Sequence, residues 1–387
     1  ELTPQSAPPA AHHFVERAPT PTPEPTGTIR TTLAADPQPE IGGIIRAQKE
    51  RLTDHGASAV AVAVLDNRTG EWLGWEGSGN YFGATGAIDG VITPRQPGSA
   101  LKPFTYALAF ERGLKASAPL PDVPSTFPTA ESGIVYKPRN YDGRFRGPLL
   151  PRVALASSVN VPAIWTLSQI GVEPLLHRLR RLGFTTLTGA PDFYGYGLTM
   201  GDAEVRLDQL VAAYATLARR GKHVTPRFIE DPSPDPTAPR VLDEAAAFLV
   251  SDMLADDDAR ESGFGRGSPL EFVEARVAVK TGTSQSYRDN WTVGFTGDVT
   301  VGVWVGNFDR RALRGGSSGV TGAAPIFHAV MEAALRRYRT SASDAPFAPP
   351  AGLESREVCA LSGEAPGPYC PRRVREWMPR AASLARC

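Results

Sequence analysis

The 387-residue chain has no excess of charge of either sign and no long apolar run. Lysine and arginine number 41, as do aspartate and glutamate, so the formal net charge is +0. This balance gives no electrostatic reason to expect nucleic acid or an anionic membrane as a partner. The longest apolar candidate, residues 59–65, falls far short of the roughly 18 residues that a membrane-spanning helix needs. No signal peptide is recognisable, so the sequence alone predicts no location.

Cysteine is scarce, and the three cysteines, Cys359, Cys370 and Cys387, all lie near the C-terminus. A disulfide or a thiolate metal site is therefore confined to this segment. In an oxidising compartment Cys359 and Cys370 could form a disulfide, with Cys387 left unpaired. A zinc site is the second possibility, because three thiolates and one further ligand complete a tetrahedral set. Free thiols are the third, and the spacing does not decide among them. No cofactor is predicted elsewhere in the sequence.

A serine and a lysine three residues apart form the most informative pair in the sequence. They lie in Ser99-Ala100-Leu101-Lys102, after the turn Pro97-Gly98 and at the start of an apolar, helical segment. Residues i and i+3 share a helical face, so the hydroxyl and the amine are neighbours. Lysine can activate a serine only if its pKa falls from about 10.4 towards neutrality. The alternative is a capping serine followed by a solvated lysine.

Two later motifs supply what this pair lacks. They are Ser158-Val159-Asn160 and Lys280-Thr281-Gly282-Thr283, and the second follows the apolar run 277–279. Each is weak alone, because Ser78-Gly79-Asn80 also fits Ser-x-Asn and Lys-Thr-Gly-Thr also fits a strand that ends in a polar loop. The order Ser-x-x-Lys, Ser-x-Asn, Lys-Thr-Gly is much more specific. A very similar triple is typical of class A β-lactamases and penicillin-binding proteins.

Together the three motifs predict an acyl-transfer site. Ser99 is the predicted nucleophile and Lys102 its base, while Lys280 is a second cation that lowers the pKa of Lys102. Ser158 is predicted to relay a proton to the leaving amine. The Asn160 amide is predicted to hold Lys102 together with a peptide backbone. Lysine thus takes the role that histidine has in a Ser-His-Asp arrangement.

The segment that carries Lys280 is predicted to bind the substrate. Gly282 has no side chain, so a substrate backbone can approach it closely. The hydroxyls of Thr281 and Thr283, together with the Lys280 ammonium, are suited to a carboxylate. The backbone N–H groups of Ser99 and Thr283 are the predicted oxyanion hole.

Over about residues 28 to 338, the chain resembles the transpeptidase domain of a class A bifunctional penicillin-binding protein of the C subtype. Beyond the three motifs, the resemblance lies in the stretches 64–71, 136–143, 201–205, 287–291 and 301–307, and in the cysteine-containing tail. It implies a peptidoglycan D,D-transpeptidase. A D-Ala-D-Ala stem peptide acylates the serine, terminal D-Ala leaves, and a neighbouring amine takes the acyl group. β-Lactams are similar in shape to that substrate and are expected to acylate Ser99.

The resemblance also implies partners and a location. Peptidoglycan stem peptides, β-lactam antibiotics and cell-wall synthesis proteins are the expected partners, and nucleic acid is not. The expected location is the cell envelope, at the periplasmic face of the inner membrane. Bifunctional members carry a glycosyltransferase domain and a membrane anchor before this region, and neither is recognisable here. Because the chain begins at Glu1, we expect a fragment of a longer protein, with an anchor only at full length.

The sequence predicts three parts. Residues 1–27, rich in proline and threonine, are expected to form an extended linker in which His12-His13 is not a ligand pair. Residues 28–340 are the expected penicillin-binding transpeptidase domain. Residues 341–387 are expected to hold a second linker and the cysteine-containing segment.

The expected fold class is α+β. A short strand is predicted at 28–33, a helix at 41–56, a hairpin at 59–65 and 71–75, and late strands at 278–281, 291–296 and 300–307, with helices between. The resemblance implies the serine β-lactamase/transpeptidase-like fold, with an antiparallel five-stranded sheet flanked by helices plus an all-helical lobe. Such a sheet pairs distant ends of the chain and brings Lys280 beside Ser99.

Three alternative functions stay open. A β-lactamase of the same fold needs a glutamate that activates a deacylating water, and Glu173 has no accompanying motif. A D-Ala-D-Ala carboxypeptidase uses the same acyl-enzyme with water as the acceptor. A penicillin-binding sensor or scaffold needs acylation but no efficient turnover.

Overall fold

The computed structural model describes residues 11–18, 29–33, 35–129, 131, 133–230 and 238–387. These residues form thirteen helices and eleven strands. The helices α1 to α13 are His12–Arg17, Pro37–Ala47, Lys49–Asp54, Lys102–Glu111, Pro151–Ala156, Asn160–Ile170, Val172–Arg181, Pro191–Tyr194, Gly197–Met200, Leu207–Ala218, Glu244–Leu254, Asp257–Phe264 and Ala324–Tyr338. The strands β1 to β11 are Ala59–Asp66, Trp72–Glu76, Leu120–Asp122, Phe127–Pro128, Val135–Tyr136, Gly147–Leu149, Ala278–Thr283, Asp289–Phe295, Val299–Gly306, Leu353–Cys359 and Arg373–Pro379.

A five-stranded antiparallel sheet, in the order β2-β1-β9-β8-β7, organises the fold. Strand β1 pairs along its whole length with β9, so that Ala59 lies opposite Gly306 and Asp66 opposite Val299. Early and late parts of the sequence therefore meet in the middle of the sheet. The predicted α+β class and five-stranded antiparallel sheet are confirmed. Strand β7, which carries the Lys-Thr-Gly motif, lies at one edge.

Two apolar cores cover the two faces of this sheet. Val60, Val62 and Val64 of β1 face the core formed with α2 and α13. The alternate residues Ala61 and Ala63 face the larger core, which contains α4, α10 and α11. Because both faces are covered, β1 and β9 are buried at every position and form continuous apolar runs.

Helix α4 is the central helix of the larger core and positions the Ser-x-x-Lys motif. Every residue from Lys102 to Phe110 is buried, and the helix packs against α6, α7 and α11. A helix that is apolar on all sides is typical of such a central position. Its first residue is Lys102, so the fold places an amine inside the protein.

The N-terminal segment differs from the predicted extended linker. Residues 12–17 form α1, and Phe14 is 1% exposed, with its ring centroid 6.4 Å from that of Trp75 and 5.3 Å from that of Phe228. Burial of an aromatic side chain among other aromatic rings outweighs the linker-like composition of the surrounding sequence. His13 Nε2 lies 2.8 Å from the carbonyl oxygen of Gly86. Residues 1–10 and 19–28 lie outside the described residues.

Two further elements differ from their predicted forms. Within the described part of the predicted strand at 28–33, Thr31 forms an isolated bridge with Ile229, and the N–H of Thr32 donates to the carbonyl oxygen of Phe228 at 3.0 Å. The predicted helix at 41–56 is divided into α2 and α3 at Gln48, and it starts earlier, at Pro37. Proline is favoured at this first helical position because its missing N–H would have no partner there.

The segment after residue 340 packs on the domain and is not a loose linker. Phe347 is 6% exposed, and the Arg276 guanidinium lies 4.7 Å from its ring centroid. Strands β10 and β11 form a hairpin, and the Trp377 ring packs edge-on against Phe248 at 5.2 Å. Phe347, within the predicted second linker, is thus packed against the domain.

All three cysteines are free thiols: Cys359 is buried, Cys370 half-buried and Cys387 exposed. No group of three or more histidine, cysteine, aspartate or glutamate side chains in the described part of the chain is placed to hold a metal ion. Among the described helices, none has the length and apolar character needed to cross a membrane.

Candidate active site

Ser99 lies in the 3-10 turn that immediately precedes α4. This turn packs directly against the edge strand β7. Gly98 makes the contact possible, because its φ is 56° and an added Cβ would collide with the backbone of Thr283. On its other side Gly98 meets Gly201, where an added Cβ would collide with the Gly98 backbone. The turn thus holds the half-buried Ser99 beside Thr283.

Lys102 is 0% exposed, and its hydrogen bonds connect the Ser-x-x-Lys and Ser-x-Asn motifs. Its Nζ donates to the carbonyl oxygen of Ser158 at 2.7 Å, to that of Val159 at 3.3 Å and to Oδ1 of Asn160 at 2.7 Å. Burial lowers the pKa of Lys102 well below its ordinary value, and the neighbouring Lys280 lowers it further. A pKa lowered in this way favours the neutral amine, which keeps two N–H groups for the two contacts of 2.7 Å and one lone pair.

Lys280 is also buried, at 1% exposure. Its Nζ donates to Oγ of Ser158 at 2.7 Å and to the carbonyl oxygen of Thr281 at 3.0 Å. Burial, and then the charge of Arg260, lower the pKa of Lys280 to about 7. The motif predicts Lys280 as a second cation and as part of a carboxylate site. With this pKa it can both give and accept a proton near neutral pH.

Ser158 lies between α5 and α6 in a backbone conformation that non-glycine residues rarely adopt, with φ of 60°. The turn directs its Oγ to Lys280 and its carbonyl oxygen to Lys102. The preceding residue is held firmly, because Ser157 Oγ donates to the carbonyl oxygen of Ala259 at 2.7 Å. Such conformations persist where the surrounding structure fixes them.

Both the oxygen and the nitrogen of the Asn160 side-chain amide form hydrogen bonds within the protein. Its Oδ1 accepts from Lys102, and its Nδ2 donates to the carbonyl oxygen of Arg139 at 2.9 Å. The second N–H of Nδ2 is not used in these bonds, and the predicted contact of this amide with a peptide substrate stays a prediction. The backbone N–H of Asn160 donates to Oδ1 of Asn140 at 3.0 Å, and Asn140 Nδ2 donates to Asp122 at 2.6 Å. Asn140 has no predicted role, and the sequence signal for it is its position in the stretch 136–143.

Strand β7 presents backbone groups to the Ser99 turn. The N–H of Ser284 donates to the carbonyl oxygen of Asp289 on β8 at 3.0 Å. Since successive residues of a strand point their backbone groups to opposite sides, the N–H and C=O of Thr283 point away from β8, towards Ser99. This is the direction that the predicted oxyanion hole requires. Thr283 Oγ1 also accepts a hydrogen bond from the N–H of Gly319 at 3.0 Å.

Gly282 lies against the Ser99 turn. An added Cβ would collide with the carbonyl oxygen of Pro97, so the missing side chain makes room for this turn. The predicted approach of a substrate backbone to Gly282 stays a prediction. Thr281, on the opposite side of the strand, is 5% exposed, and a Cβ added to Gly319 would lie 2.9 Å from its Cβ.

Two tyrosines face each other at the mouth of the site. The ring centroids of Tyr141 and Tyr287 are 6.1 Å apart, and the residues are 66% and 39% exposed. Tyr141 follows Asn140, which bonds the Ser-x-Asn segment, whereas Tyr287 belongs to the turn between β7 and β8. Tyr287 has φ of 55°. The pair thus links the Ser-x-Asn and Lys-Thr-Gly sides of the site.

Residues 60–332 match the penicillin binding protein transpeptidase domain, and this match covers most of the chain. The chain belongs to the penicillin-binding protein transpeptidase family. The structure brings the side chains of the predicted site together. One hydrogen-bonded cluster beside Ser99 contains Lys102, Ser158, Asn160 and Lys280. Glu173 is not part of this cluster and lines a separate cavity with Arg112.

The chain is similar to curated penicillin-binding proteins. Penicillin-binding protein 1C of Escherichia coli (strain K12) is 32% identical over 360 residues, which cover 90% of this chain and 44% of the relative. Penicillin-binding protein 1A of Aquifex aeolicus (strain VF5) is 31% identical over 283 residues, which cover 71% of this chain and 38% of the relative. The chain thus spans less than half the length of these relatives. The expected resemblance to the C subtype is confirmed.

Solved penicillin-binding proteins share the fold. Penicillin-binding protein 1A from Haemophilus influenzae superposes with a TM-score of 0.71 at 22% identity and covers 85% of this chain and 54% of its own. PonA1 from Mycobacterium tuberculosis, solved in complex with penicillin V, superposes with a TM-score of 0.66 at 22% identity and covers 81% of this chain and 87% of its own. The predicted transpeptidase fold is confirmed.

Proposed function

We propose that the protein is a peptidoglycan D,D-transpeptidase that acts through an acyl-enzyme on Ser99. One observation carries the proposal: two buried amines, Lys102 and Lys280, contact the Ser158 residue from opposite sides next to Ser99. Burying amines is costly, and a site for proton transfer gives a reason for the arrangement. A structural role would be met by apolar side chains.

In acylation, the hydrogen-bonded cluster moves two protons. Neutral Lys102 takes the proton of Ser99 Oγ while Oγ forms a bond to the carbonyl carbon of the penultimate D-alanine of a stem peptide. The backbone N–H groups of Ser99 and Thr283 donate to the oxyanion that forms. The bond to the terminal D-alanine nitrogen then breaks, and this nitrogen takes a proton from Ser158 Oγ, which protonated Lys280 resupplies. Free D-alanine leaves, and an ester remains on Ser99.

The second half of the reaction, deacylation, returns each catalytic group to its starting protonation state. The acceptor amine attacks the ester carbonyl carbon and loses a proton through Ser158 Oγ to Lys280. The bond to Ser99 Oγ breaks, and Oγ recovers its proton from Lys102. A new peptide bond cross-links the two stem peptides. Water in place of the amine gives a carboxylate, which is the carboxypeptidase reaction with the same groups.

Substrate binding is assigned to the free edge of β7. An extended peptide can add to this edge as a further strand, because the backbone groups of Thr283 point outwards. The Lys280 ammonium with the hydroxyls of Thr281 and Thr283 is the proposed site of the terminal carboxylate. We propose a location at the periplasmic face of the inner membrane, with stem peptides, β-lactams and cell-wall synthesis proteins as partners, as the resemblance to the C subtype implies.

Covalent labelling with a fluorescent penicillin tests the nucleophile. We expect one label per molecule on the unmodified protein, no label on Ser99→Ala, and normal labelling of Ser168→Ala, a control within α6. Peptide mapping should place the label on the peptide that contains Ser99. Equal labelling of the unmodified protein and Ser99→Ala would refute the assignment.

A second experiment separates the transpeptidase from a carboxypeptidase and from a sensor. A D-Ala-D-Ala donor peptide and an amine acceptor are incubated with the protein, and the products are identified by mass spectrometry. We expect cross-linked peptide and free D-alanine in equal amounts. Shortened donor without cross-linked product would indicate a carboxypeptidase, and a stable acyl-enzyme without product would indicate a sensor.

A further inference from the structure

The buried side chain of Asn140 uses its full hydrogen-bonding capacity. Its Oδ1 accepts the backbone N–H groups of Asn160 and Val161 at 3.0 and 3.2 Å. Its Nδ2 donates to Oδ1 of Asp122 and to the carbonyl oxygen of Arg144, both at 2.6 Å. A primary amide offers two donors and two acceptor sites, so each of them has a partner here. Asn140 is 6% exposed, and the proposed mechanism gives it no role.

Two of these contacts hold the start of α6, the helix whose first residue is Asn160. The first N–H groups of a helix have no partner within the helix, and a side chain just before the helix commonly bonds them. Here the preceding residue is Val159, which has no polar side-chain atom and forms no such cap. Asn140, 20 residues upstream, supplies the missing acceptor. Val161 is 0% exposed, so without Asn140 its N–H would be buried without a partner.

The residue before Asn140 holds Asn160 at a second point. The carbonyl oxygen of Arg139 accepts from Nδ2 of Asn160 at 2.9 Å. The main chain and the side chain of Asn160 are therefore bonded to two adjacent residues. The amide oxygen of Asn160 then accepts from Nζ of Lys102 at 2.7 Å. The two carbonyl oxygens that also accept from Lys102 belong to the residues directly before Asn160.

On its other side Asn140 is anchored to a buried carboxylate. Asp122, the last residue of β3, is 0% exposed, and its Oδ2 accepts the backbone N–H of Arg146 at 2.9 Å. A hydrogen bond to a charged acceptor is stronger than one between neutral groups, so this contact fixes the Asn140 side chain. A carboxylate at position 140 could accept from α6 but could not donate to Asp122. The amide is thus the side chain that suits both neighbours.

We infer that Asn140 is a positioning residue for acylation, which holds Asn160 where its amide oxygen orients the amine of Lys102. The inference rests on the proposed function, because it assigns Asn140 a part in the reaction of Ser99. A neutral amine has two N–H groups and one lone pair. When acceptors fix both N–H groups, they also fix the direction of the lone pair that takes the Ser99 proton. A shift of Asn160 would turn this lone pair away.

The rate of acylation by benzylpenicillin tests this role, with urea denaturation as the measure of stability. We expect Asn140→Ala to lower the second-order rate constant of acylation at least tenfold. The control is Asn67→Ala, because Asn67 is also buried and bonds the carbonyl oxygen of Thr296 at 2.9 Å and the hydroxyl of Thr300 at 2.6 Å. Asn67 follows β1, at the end of the sheet remote from Thr283. Asn67→Ala should lower the stability and leave the acylation rate unchanged.

A double-mutant cycle with Asn160→Ala separates positioning from general structural support. If Asn140 acts through Asn160, Asn140→Ala loses most of its effect in a protein that already lacks the Asn160 amide. We expect a further loss of no more than about threefold in that background. The same loss in both backgrounds would overturn the inference. Asn140→Asp keeps the shape of the side chain but cannot donate to Asp122, and it takes the place of Asn140→Ala if the alanine variant does not fold.

The labelling results keep this inference separate from the proposed function. Absence of penicillin labelling from the unmodified protein would refute the acyl-enzyme on Ser99, and the inference with it. If the unmodified protein is labelled normally, two outcomes refute the inference alone. One is a rate for Asn140→Ala equal to that of the unmodified protein, and the other is an equal loss of rate in Asn67→Ala.

Discussion

At the scale of single residues, the pKa of Lys280 depends on a neighbour outside the three motifs, Arg260. Arg260 is 3% exposed and bonds Asp257 through Nη2. On the same face of α12, a Cβ added to Gly263 would lie 2.7 Å from the carbonyl oxygen of Ser157, so Arg260 lies behind the Ser158 turn. Its Nε and Nη1 have no hydrogen-bond partner among the described residues. The guanidinium pairs with Asp257, and its charge still lowers the pKa of Lys280.

Replacing Arg260 with glutamine should move the pH dependence of acylation. Loss of a nearby cation favours protonated Lys280, so the pKa of Lys280 rises above about 7. Because the proposed mechanism needs protonated Lys280, the alkaline limb of the pH–rate profile should shift to higher pH, by roughly one unit. The rate of penicillin acylation between pH 6 and 10 measures this.

The matched control is Arg266→Gln, because Arg266 is an exposed arginine just after the same helix. The groups that face Lys280 in the described structure are Lys102 from α4, Ser158 and Arg260. An alkaline limb that coincides for Arg260→Gln, the control and the unmodified protein would contradict this account of Lys280.

At the scale of elements, the contact between the Ser99 turn and β7 should not tolerate a side chain at position 98. Gly98→Ala introduces a Cβ where φ is 56° and where the Thr283 backbone occupies the space. We expect acylation by penicillin to fall at least tenfold and the free energy of unfolding to fall by about 1–3 kcal/mol. Labelling kinetics and urea denaturation measure the two effects.

Gly315→Ala is the control for this substitution, because an added Cβ there meets no atom within 4 Å and no unusual φ is required. It should leave both measurements unchanged. If Gly98→Ala labels as fast as the control, the turn is not held by this contact in the way that the structure indicates.

At the scale of the whole molecule, the C-terminal hairpin is tied to the helix that leads to Ser158. Arg152 of α5 bonds Oε1 of Glu376 at 3.0 Å and pairs with Asp252 at 2.7 Å and Asp256 at 3.0 Å. Glu376 is 0% exposed, and burial raises its pKa to about 7. Arg276 also pairs with Asp252, at 2.6 Å, so two guanidiniums meet three carboxylates, and the remaining negative charge agrees with this direction.

This buried carboxyl makes stability depend on pH. Between about pH 4.5 and 7 the unfolded chain releases the Glu376 proton and the folded protein keeps it. The unfolded state then binds fewer protons, so the free energy of unfolding falls as the pH rises through this window, by at most about 1.4 kcal/mol per pH unit. Urea denaturation from pH 4.5 to 8 measures the slope.

Glu376→Gln should remove this slope, whereas Glu357→Gln, an exposed change on the same hairpin, should keep it. Subtracting the two curves isolates Glu376 from other titrating groups. A slope that Glu376→Gln retains would show that Glu376 is ionised in the folded protein throughout the window.

The sequence determined much of this protein by itself. The order of the three motifs indicated the family and the candidate site residues, because acyl-transfer chemistry requires particular residue types at fixed spacings. The apolar runs at 59–65 and 300–307 indicated the central strands, because a strand covered on both faces must be apolar throughout. Both signals are local and can be read from neighbouring residues.

Only the tertiary structure decided the rest. Gly282 makes room for Pro97, Arg260 lowers the pKa of Lys280, and Phe14 packs on Trp75. Each of these depends on residues far apart in the sequence, whose proximity no local pattern encodes. The docking of the C-terminal hairpin through Glu376 is of the same kind. Burial and long-range charge set these properties, and both arise only when the chain is folded.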